Sequence, residues 1–427
     1  MPITELYHIF QKYPVVSTDS RNIPASCIFF ALKGETFDGN RYAADALDKG
    51  AAYAVVDNPE IAVDTRFILV DDVLSALQKL AQHHRRQMNI PVLAITGTNG
   101  KTTTKELVSA VLQQKYHVTC TQGNLNNHIG VPLTLLKLNA QTEIAVIEMG
   151  ANHPGEISTL CHIVEPNYGL VTNIGKAHLE GFGSFEKVIK TKSELYDFLR
   201  ECGGKTFVNA GNELLMKQSA GLEQLTYGGD DSSQLKGQAE EGSWFLTVRT
   251  LFPKGWLYLS SKLVGDYNSD NILAAARVGL HFGVEPIAIQ KAIAGYKPGN
   301  NRSQFIEKGD NKVIMDAYNA NPTSMHAALN NFEKINHACK VLILGDMLEL
   351  GEYSYEEHQK IADKISNGKF EKIFLIGQQF ERTSCNAIKL PSIEFLTKWL
   401  ESHPLHDSLI LIKGSHSIGL EKIIEHI

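Results

Sequence analysis

The chain has 427 residues, 43% of them hydrophobic and 21% charged, and its formal net charge is −6. Such a composition is that of a globular protein of roughly two to four domains; without a basic excess it argues against nucleic acid or an anionic membrane surface as partner. Six scattered cysteines with no C-x-x-C pair indicate neither a zinc site nor a disulfide framework, and fit a reducing, cytoplasmic compartment.

Met1-Pro2-Ile3-Thr4-Glu5-Leu6 has neither the basic start nor the apolar run of a signal peptide, and no apolar stretch is long enough to cross a bilayer. The first segment mixes short strands and helices. Cys27 to Leu32 reads as a strand, followed by turn signals at Lys33-Gly34-Glu35 and Asp38-Gly39. Arg41 to Gly50 reads as a helix closed by glycine, Ala52 to Val56 as a strand, and Ser75 to Gln87 as a helix with a polar face. Residues before proline resist helix, so Met88-Asn89-Ile90-Pro91 is the expected linker.

From Pro91 to about Tyr296, strands and helices alternate, which predicts a mostly parallel sheet covered on both faces. Pro91 to Ile95 is its first strand and Lys105 to Tyr116 its first helix. Between them stands Thr96-Gly97-Thr98-Asn99-Gly100-Lys101-Thr102-Thr103-Thr104. A glycine turn ending in Lys-Thr at a helix start cradles phosphate with backbone N–H groups; Lys101 supplies a cation and the Thr102 hydroxyl a ligand for Mg²⁺. The pattern G-x-x-x-x-G-K-[ST] would put glycine where Ile95 stands, and an ordinary glycine turn is the alternative.

Glu143 to Gly150 is a further strand carrying Glu148 at its end, and Tyr168 to Ile174 another, ending in Asn173. In open α/β sheets ligands sit beyond the carboxyl ends of strands, so these residues and the glycine loop are expected to meet in one crevice. Alternation between Thr226 and Leu263 suggests an antiparallel insertion, and Asn271 to Phe282 returns to helix. After the turn-rich Lys297-Pro298-Gly299-Asn300-Asn301, strands at Lys312 to Asp316, Lys340 to Leu344, Lys372 to Ile376 and Ser408 to Ile412 predict a second, smaller α/β domain.

Several residues carry two readings from sequence alone. Glu148 is a metal ligand or a solvated carboxylate. His178 is a ligand or a hydrogen-bonded structural residue. Lys192 reads as a solvated helix lysine. Asn124, Asn126 and Asn127, between Gly123 and Gly130, bind a polar substrate or form turns. Asp316, in Asp316-Ala317-Tyr318-Asn319-Ala320-Asn321-Pro322, accepts from a ribose or caps a turn.

Taken together with Glu148-Met149-Gly150-Ala151-Asn152-His153 and Ala177-His178-Leu179-Glu180-Gly181-Phe182-Gly183, these stretches resemble the Mur ligases of peptidoglycan synthesis across essentially the whole chain. The Asp316 stretch resembles the branch that adds D-alanyl-D-alanine. The branch that adds diaminopimelate carries Asp-Asn-Pro-Arg in its third domain, which is missing there; Asp57-Asn58-Pro59-Glu60 reads as a coincidental turn. The resemblance implies an α/β protein of three domains. These are a small UDP-MurNAc-binding domain over 1–88, a central P-loop ATP-binding domain over 89–297, and a Rossmann-like domain over 298–427. The implied activity is an ATP-dependent amide ligase working through an acyl phosphate. Its substrates would be UDP-MurNAc-tripeptide and D-Ala-D-Ala, with the chain a cytoplasmic monomer.

The same resemblance implies roles for residues. Gly97, Thr98, Asn99, Gly100, Lys101, Thr102 and Thr103 would hold ATP. Asn268 and Asn271 would meet adenine, beside Tyr267 where histidine is usual. Arg302 and Asp316 would reach phosphates and ribose. Thr102 and Glu148 match one Mg²⁺ site; His178 and Lys192 match a second, with the lysine carbamylated by CO₂. Lys101, His178 and Lys192 would be the catalytic residues. Thr18, Asp19, Ser20, Arg21, Phe30, Lys33, Gly34 and Asp38 match a UDP-sugar pocket. Asn124, Asn126 and Asn127 fall on the substrate side, and Asn319 and Asn321 near the incoming dipeptide. Rival readings are a folylpolyglutamate-type ligase, which the Thr18 to Arg21 and Asn319 stretches oppose, a P-loop kinase or ATPase, and a nucleotide-binding scaffold.

Overall fold

The structure, a computed structural model, describes residues 1–240, 244–299 and 301–427. Asn300 of the expected junction, and residues 241–243 of the expected antiparallel run, lie outside the described residues. Three sheets follow one another along the chain.

The first sheet has four short parallel strands, Val16–Ser17, Ile28–Phe30, Tyr53–Val56 and Phe67–Leu69. The second ends earlier than expected because Gly39 N–H takes the Leu32 carbonyl and the chain closes through a Lys33–Asp38 bridge. Expected helix Arg41 to Gly50 is a 3₁₀ turn, Gly39–Tyr42, capped by Asp38, followed by helix Ala43–Asp48. Helix Val73–Gln87 starts two residues before Ser75, because the Asp72 side chain accepts from Ser75 N–H.

The polar face of that helix docks on the central segment. Buried Arg85 donates to the carbonyls of Val164 (3.0 Å), Glu165 (3.1 Å) and Met88 (2.9 Å), and Arg86 pairs with Glu165. The guanidinium thus satisfies carbonyls where helix Glu156–Val164 ends, at the negative end of its dipole. Arg85→Ala is expected to cost about 2–4 kcal/mol, since it orphans several buried acceptors, and Arg85→Lys to recover only part; urea unfolding midpoints measure both.

The central sheet has nine strands. Strand Val92–Thr96 lies between parallel strands Ile144–Glu148 and Tyr168–Val171. Its residues alternate between two cores. Val92 and Ala94 face helices Gly130–Leu135, Glu156–Val164 and Phe185–Cys202; Leu93 and Ile95 face helices Lys101–Leu112, Ser269–His281 and Pro286–Gly295. Strands Leu235–Ala239, Thr247–Phe252 and Gly255–Ser260 are antiparallel as expected, but they extend the same sheet at one edge.

The third sheet has six strands, in the order Gln304–Lys308, Asn311–Asp316, Leu409–Lys413, Lys340–Gly345, Lys372–Ile376 and Ile388–Leu390. All pair in parallel except the first. Its two edge strands are short or polar and were missed by the sequence reading. The carboxyl ends of the central strands and of the third sheet face a shared cavity of about 960 Å³.

Candidate active site

Gly97 (φ +139°) and Gly100 (φ +78°) shape the loop after Val92–Thr96. A Cβ on Gly97 would come within 2.1 Å of Thr172 Oγ1, and one on Gly100 within 2.7 Å of Asn271 Oδ1. Ile95 needs no such freedom; it is a fully buried strand residue. The helix begins at Lys101, four residues before the expected Lys105, because left-handed Gly100 turns the chain directly into it. Its first N–H groups have no intrahelical acceptor, so they form an anion site at the cavity.

Register puts Glu148 beside Ile95, next to this loop. Glu148 Oε1 accepts from Thr102 Oγ1 (3.2 Å) and Asn126 Nδ2 (2.8 Å), and the residue is 1% exposed. Its Oε2 is buried without a partner. An unpaired buried carboxylate oxygen is costly, and a cation between it and the Thr102 hydroxyl would satisfy it. Among the described residues no three His, Cys, Asp or Glu side chains cluster to hold a metal unaided, so hydroxyl and phosphate oxygens must complete such a site. Lys101 Nζ curls back to the carbonyls of Gly97 (2.9 Å) and Thr98 (3.0 Å). Desolvation brings its pKa down to about 8; Glu148 opposes the shift and Arg302 reinforces it.

Lys192 is 2% exposed, not solvated. It stands behind Ala151, which lines the cavity, and its one hydrogen bond is a long 3.4 Å contact to the Ala151 carbonyl. Burial, with Lys101 adding repulsion, lowers its pKa to about 7. The Phe182 ring lies 5.7 Å from Lys192 Nζ and 6.5 Å from the His178 ring. His178 is left-handed (φ +51°) and its Nδ1 meets the Glu349 carboxylate of the third segment, which holds that carboxyl below the usual range.

Asn268 and Asn271 are buried and joined: Asn271 Nδ2 donates to Asn268 Oδ1 (2.9 Å), and Asn271 Oδ1 accepts from Thr104 (2.9 Å). They tie the cavity's far wall to the loop helix. Tyr267 lines the same wall, and its hydroxyl reaches Ser303 at 3.0 Å. Arg302 stacks on Tyr318 at 3.7 Å, and its buried Nε has no partner. Asp316 is gripped by Lys413 Nζ (2.6 Å), its register neighbour, and by Ser303 N–H (3.1 Å). Sequence reading missed Lys413, Tyr318 and Glu349.

Asn124, Asn126, Asn127 and Asn319 line the cavity. Asn127 also serves as a turn former, accepting from Ile129 and Gly130 N–H. Asn321 instead caps helix Pro322–Lys334 and pairs amide to amide with Asn99 of the loop, at 2.8 Å. Thr323 and Glu349 supply further contacts from the third segment to the central one.

A second cavity, of about 460 Å³, is lined by Thr18, Asp19, Ser20 and Arg21 with Phe37 and Tyr42, whose rings stack at 5.2 Å. Arg21 clamps Asp19 through two bonds and holds its carboxyl down at about 2. Phe30 is not among these residues: it is fully buried under helices Ile3–Lys12 and Val73–Gln87. Lys33, Gly34 and Asp38 shape the loop that carries Phe37, through Lys33–Asp57 (2.7 Å), Gly34 N–H to the Phe37 carbonyl, and the Asp38 cap. In the Asp57-Asn58-Pro59-Glu60 stretch, Asn58 caps a turn, as read.

Three family profiles match in sequence: the Mur ligase family catalytic domain over residues 12–85, the Mur ligase middle domain over 95–279, and the Mur ligase glutamate ligase domain over 301–416. UDP-N-acetylmuramoyl-tripeptide–D-alanyl-D-alanine ligase of Bacillus subtilis (strain 168) is 35% identical, covering 96% of this chain and 92% of its own. A crystal structure of MurF from Acinetobacter baumannii superposes with a TM-score of 0.86 at 30% identity, covering 96% of this chain and 92% of that one. MurF ligase from Thermotoga maritima in complex with ADP gives 0.86 at 26%, covering 96% of each chain. With all three segments matched and identity sustained along nearly its whole length, the chain belongs to the Mur ligase family.

Proposed function

We propose that this chain is the ATP-dependent ligase that joins D-Ala-D-Ala to UDP-MurNAc-tripeptide, giving UDP-MurNAc-pentapeptide, ADP and phosphate in cytoplasmic peptidoglycan precursor synthesis. Relatives bearing that activity in their names support it, as does the ADP held by the Thermotoga maritima structure. The observation that carries it at the site is the orphaned Glu148 oxygen beside Thr102 and the Gly97–Thr102 loop.

A carboxylate does not condense with an amine at neutral pH, because oxide would have to leave. In this reading the tripeptide's terminal carboxylate attacks the γ-phosphorus and ADP departs. The dipeptide amine then attacks the acyl carbon, and phosphate departs. Thr102 and Glu148 would hold one Mg²⁺, and His178 with carbamylated Lys192 a second. When bound, the metal neutralises the phosphates and polarises the transferring phosphoryl group. Lys192 suits carbamylation because its buried amine, with pKa about 7, is substantially neutral. Its lone pair adds to CO₂ and a proton is released, leaving an anionic oxygen ligand.

Gly97 to Thr103 cradle the phosphates. Lys101 swings from its own loop carbonyls onto the nucleotide tail, and Arg302 offers its free Nε to the same charge. The Asn268–Asn271 pair and Tyr267 flank the base; Asp316, held by Lys413, takes the ribose. The cavity formed by Thr18 to Arg21, Phe37 and Tyr42 takes the uridine end of the other substrate, whose peptide lies along Asn124, Asn126 and Asn127, with Asn319 near the incoming dipeptide. Domains over 1–88, 89–297 and 298–427, turning near Ile90 and Lys297, close on a monomer.

ADP release measured with and without each substrate tests this. We expect release only with UDP-MurNAc-tripeptide and D-Ala-D-Ala together, with a product heavier by the dipeptide less water. ADP release indifferent to the dipeptide would identify an ATPase instead.

A further inference from the structure

The cavity holds several carboxylates, and nearly all are engaged within their own segment. Glu148 is bonded by Thr102 and Asn126. Glu156 accepts from the N–H groups of Asn152 and His153. Asp316 is held by Lys413 and Ser303. Glu349 differs: it comes from the third segment, its side chain is half exposed at 55%, and its hydrogen bond reaches across the cavity to His178.

The loop that carries Glu349 is anchored residue by residue. Asp346 accepts from Gln379 and Phe380 N–H, both at 2.9 Å. Met347 N–H donates to His358 Nε2 at 3.0 Å, and Leu348 N–H to Ser415 Oγ at 3.0 Å. Glu349 follows with φ +61°, a conformation costly for a residue with a Cβ, and its carbonyl accepts from Glu180 N–H at 3.2 Å. Strain held by so many fixed contacts, at a cavity-lining carboxylate, marks a group whose position matters more than its local stability.

On the reading above, phosphates and acyl group belong to the central segment, where Lys101 and the loop N–H groups supply positive charge. The amine therefore arrives against the third segment. Its unperturbed pKa, about 7.7–8.0, makes it an ammonium ion in most molecules at neutral pH. We propose that the Glu349 carboxylate receives the α-amino group of the incoming dipeptide and holds it beside the acyl carbon. It is thereby a binding residue for the second substrate, and the inference rests on the ligase reading.

The test compares two ligands on wild type, Glu349→Gln and Glu349→Asp: D-Ala-D-Ala as substrate, and propionyl-D-alanine, which lacks only the amino group, as competitive inhibitor. Wild-type turnover with the dipeptide comes first; its absence would overturn the ligase reading itself. Given turnover, Glu349→Gln should lower the preference for the amino-bearing ligand on the order of 10- to 100-fold. KM for ATP and for the UDP substrate should stay within about twofold, and Glu349→Asp should restore part of the preference. An unchanged preference would overturn the proposal. So would a rise in the Mg²⁺ concentration needed for half-maximal rate with the preference intact, which would make Glu349 a partner of His178 alone.

Discussion

Replacing Lys101 with alanine is expected to lower turnover by at least about 10²–10³ while the fold persists. Two anions, a carboxylate and a nucleotide tail, must meet for the first chemical step. Lys101 is the side-chain cation carried on the loop itself, half-buried where low dielectric strengthens its field. Its present partners are only the Gly97 and Thr98 carbonyls, so the ammonium is free to exchange them for phosphate oxygens. Removing it leaves the buried cores of the central sheet untouched, because Leu107, Val108, Val111 and Leu112 hold the helix in place. ADP release beside circular dichroism and a thermal melt makes the measurement. Near-normal release from a folded variant would contradict the role.

Lys192→Ala is expected to be nearly inactive and partly rescued by acetate, a small carboxylate able to occupy the volume vacated behind Ala151. Wild type in CO₂-depleted buffer should lose activity and regain it with bicarbonate. The pH dependence has a definite sign. Only the neutral amine adds CO₂, and burial places the Lys192 pKa at about 7, so at limiting CO₂ the wild-type rate should fall as pH drops through 7. The acetate-rescued alanine variant should lack that part of the fall. Full activity without CO₂ would remove the carbamate from the mechanism.

The glycine loop and the strands leading to it were legible because their signals are local: an apolar run, two glycines and a Lys-Thr helix start. The helical span, expected from Lys105, also takes in Thr102, Thr103 and Thr104, whose low helix propensity packing overrides; all three are buried. Lys192 had an overlooked signal. It shares a stripe with Val188, Leu195 and Leu199, so periodicity alone placed it inside. Phe30 was misplaced because its strand is buried on both faces, and alternation cannot then say which side chain meets a ligand. Lys413 and Asp316 are 97 residues apart and meet only through parallel register, which no local pattern encodes. Glu349 owes its position to three successive anchors from separate elements, and nothing in Met347-Leu348-Glu349-Leu350 announces it.

In the proposed reaction, one cleft floor gathers the nucleotide's phosphates and a cation onto the Gly97–Thr102 loop and Glu148. A crystal grown with a non-hydrolysable ATP analogue and Mg²⁺ tests it most directly. The expected result is phosphate oxygens bonded to the loop's N–H groups, Lys101 turned away from the Gly97 carbonyl, and a metal ion touching Thr102 Oγ1 and Glu148 Oε2. Nucleotide bound elsewhere, or a metal that leaves Glu148 Oε2 without a partner, would contradict the account.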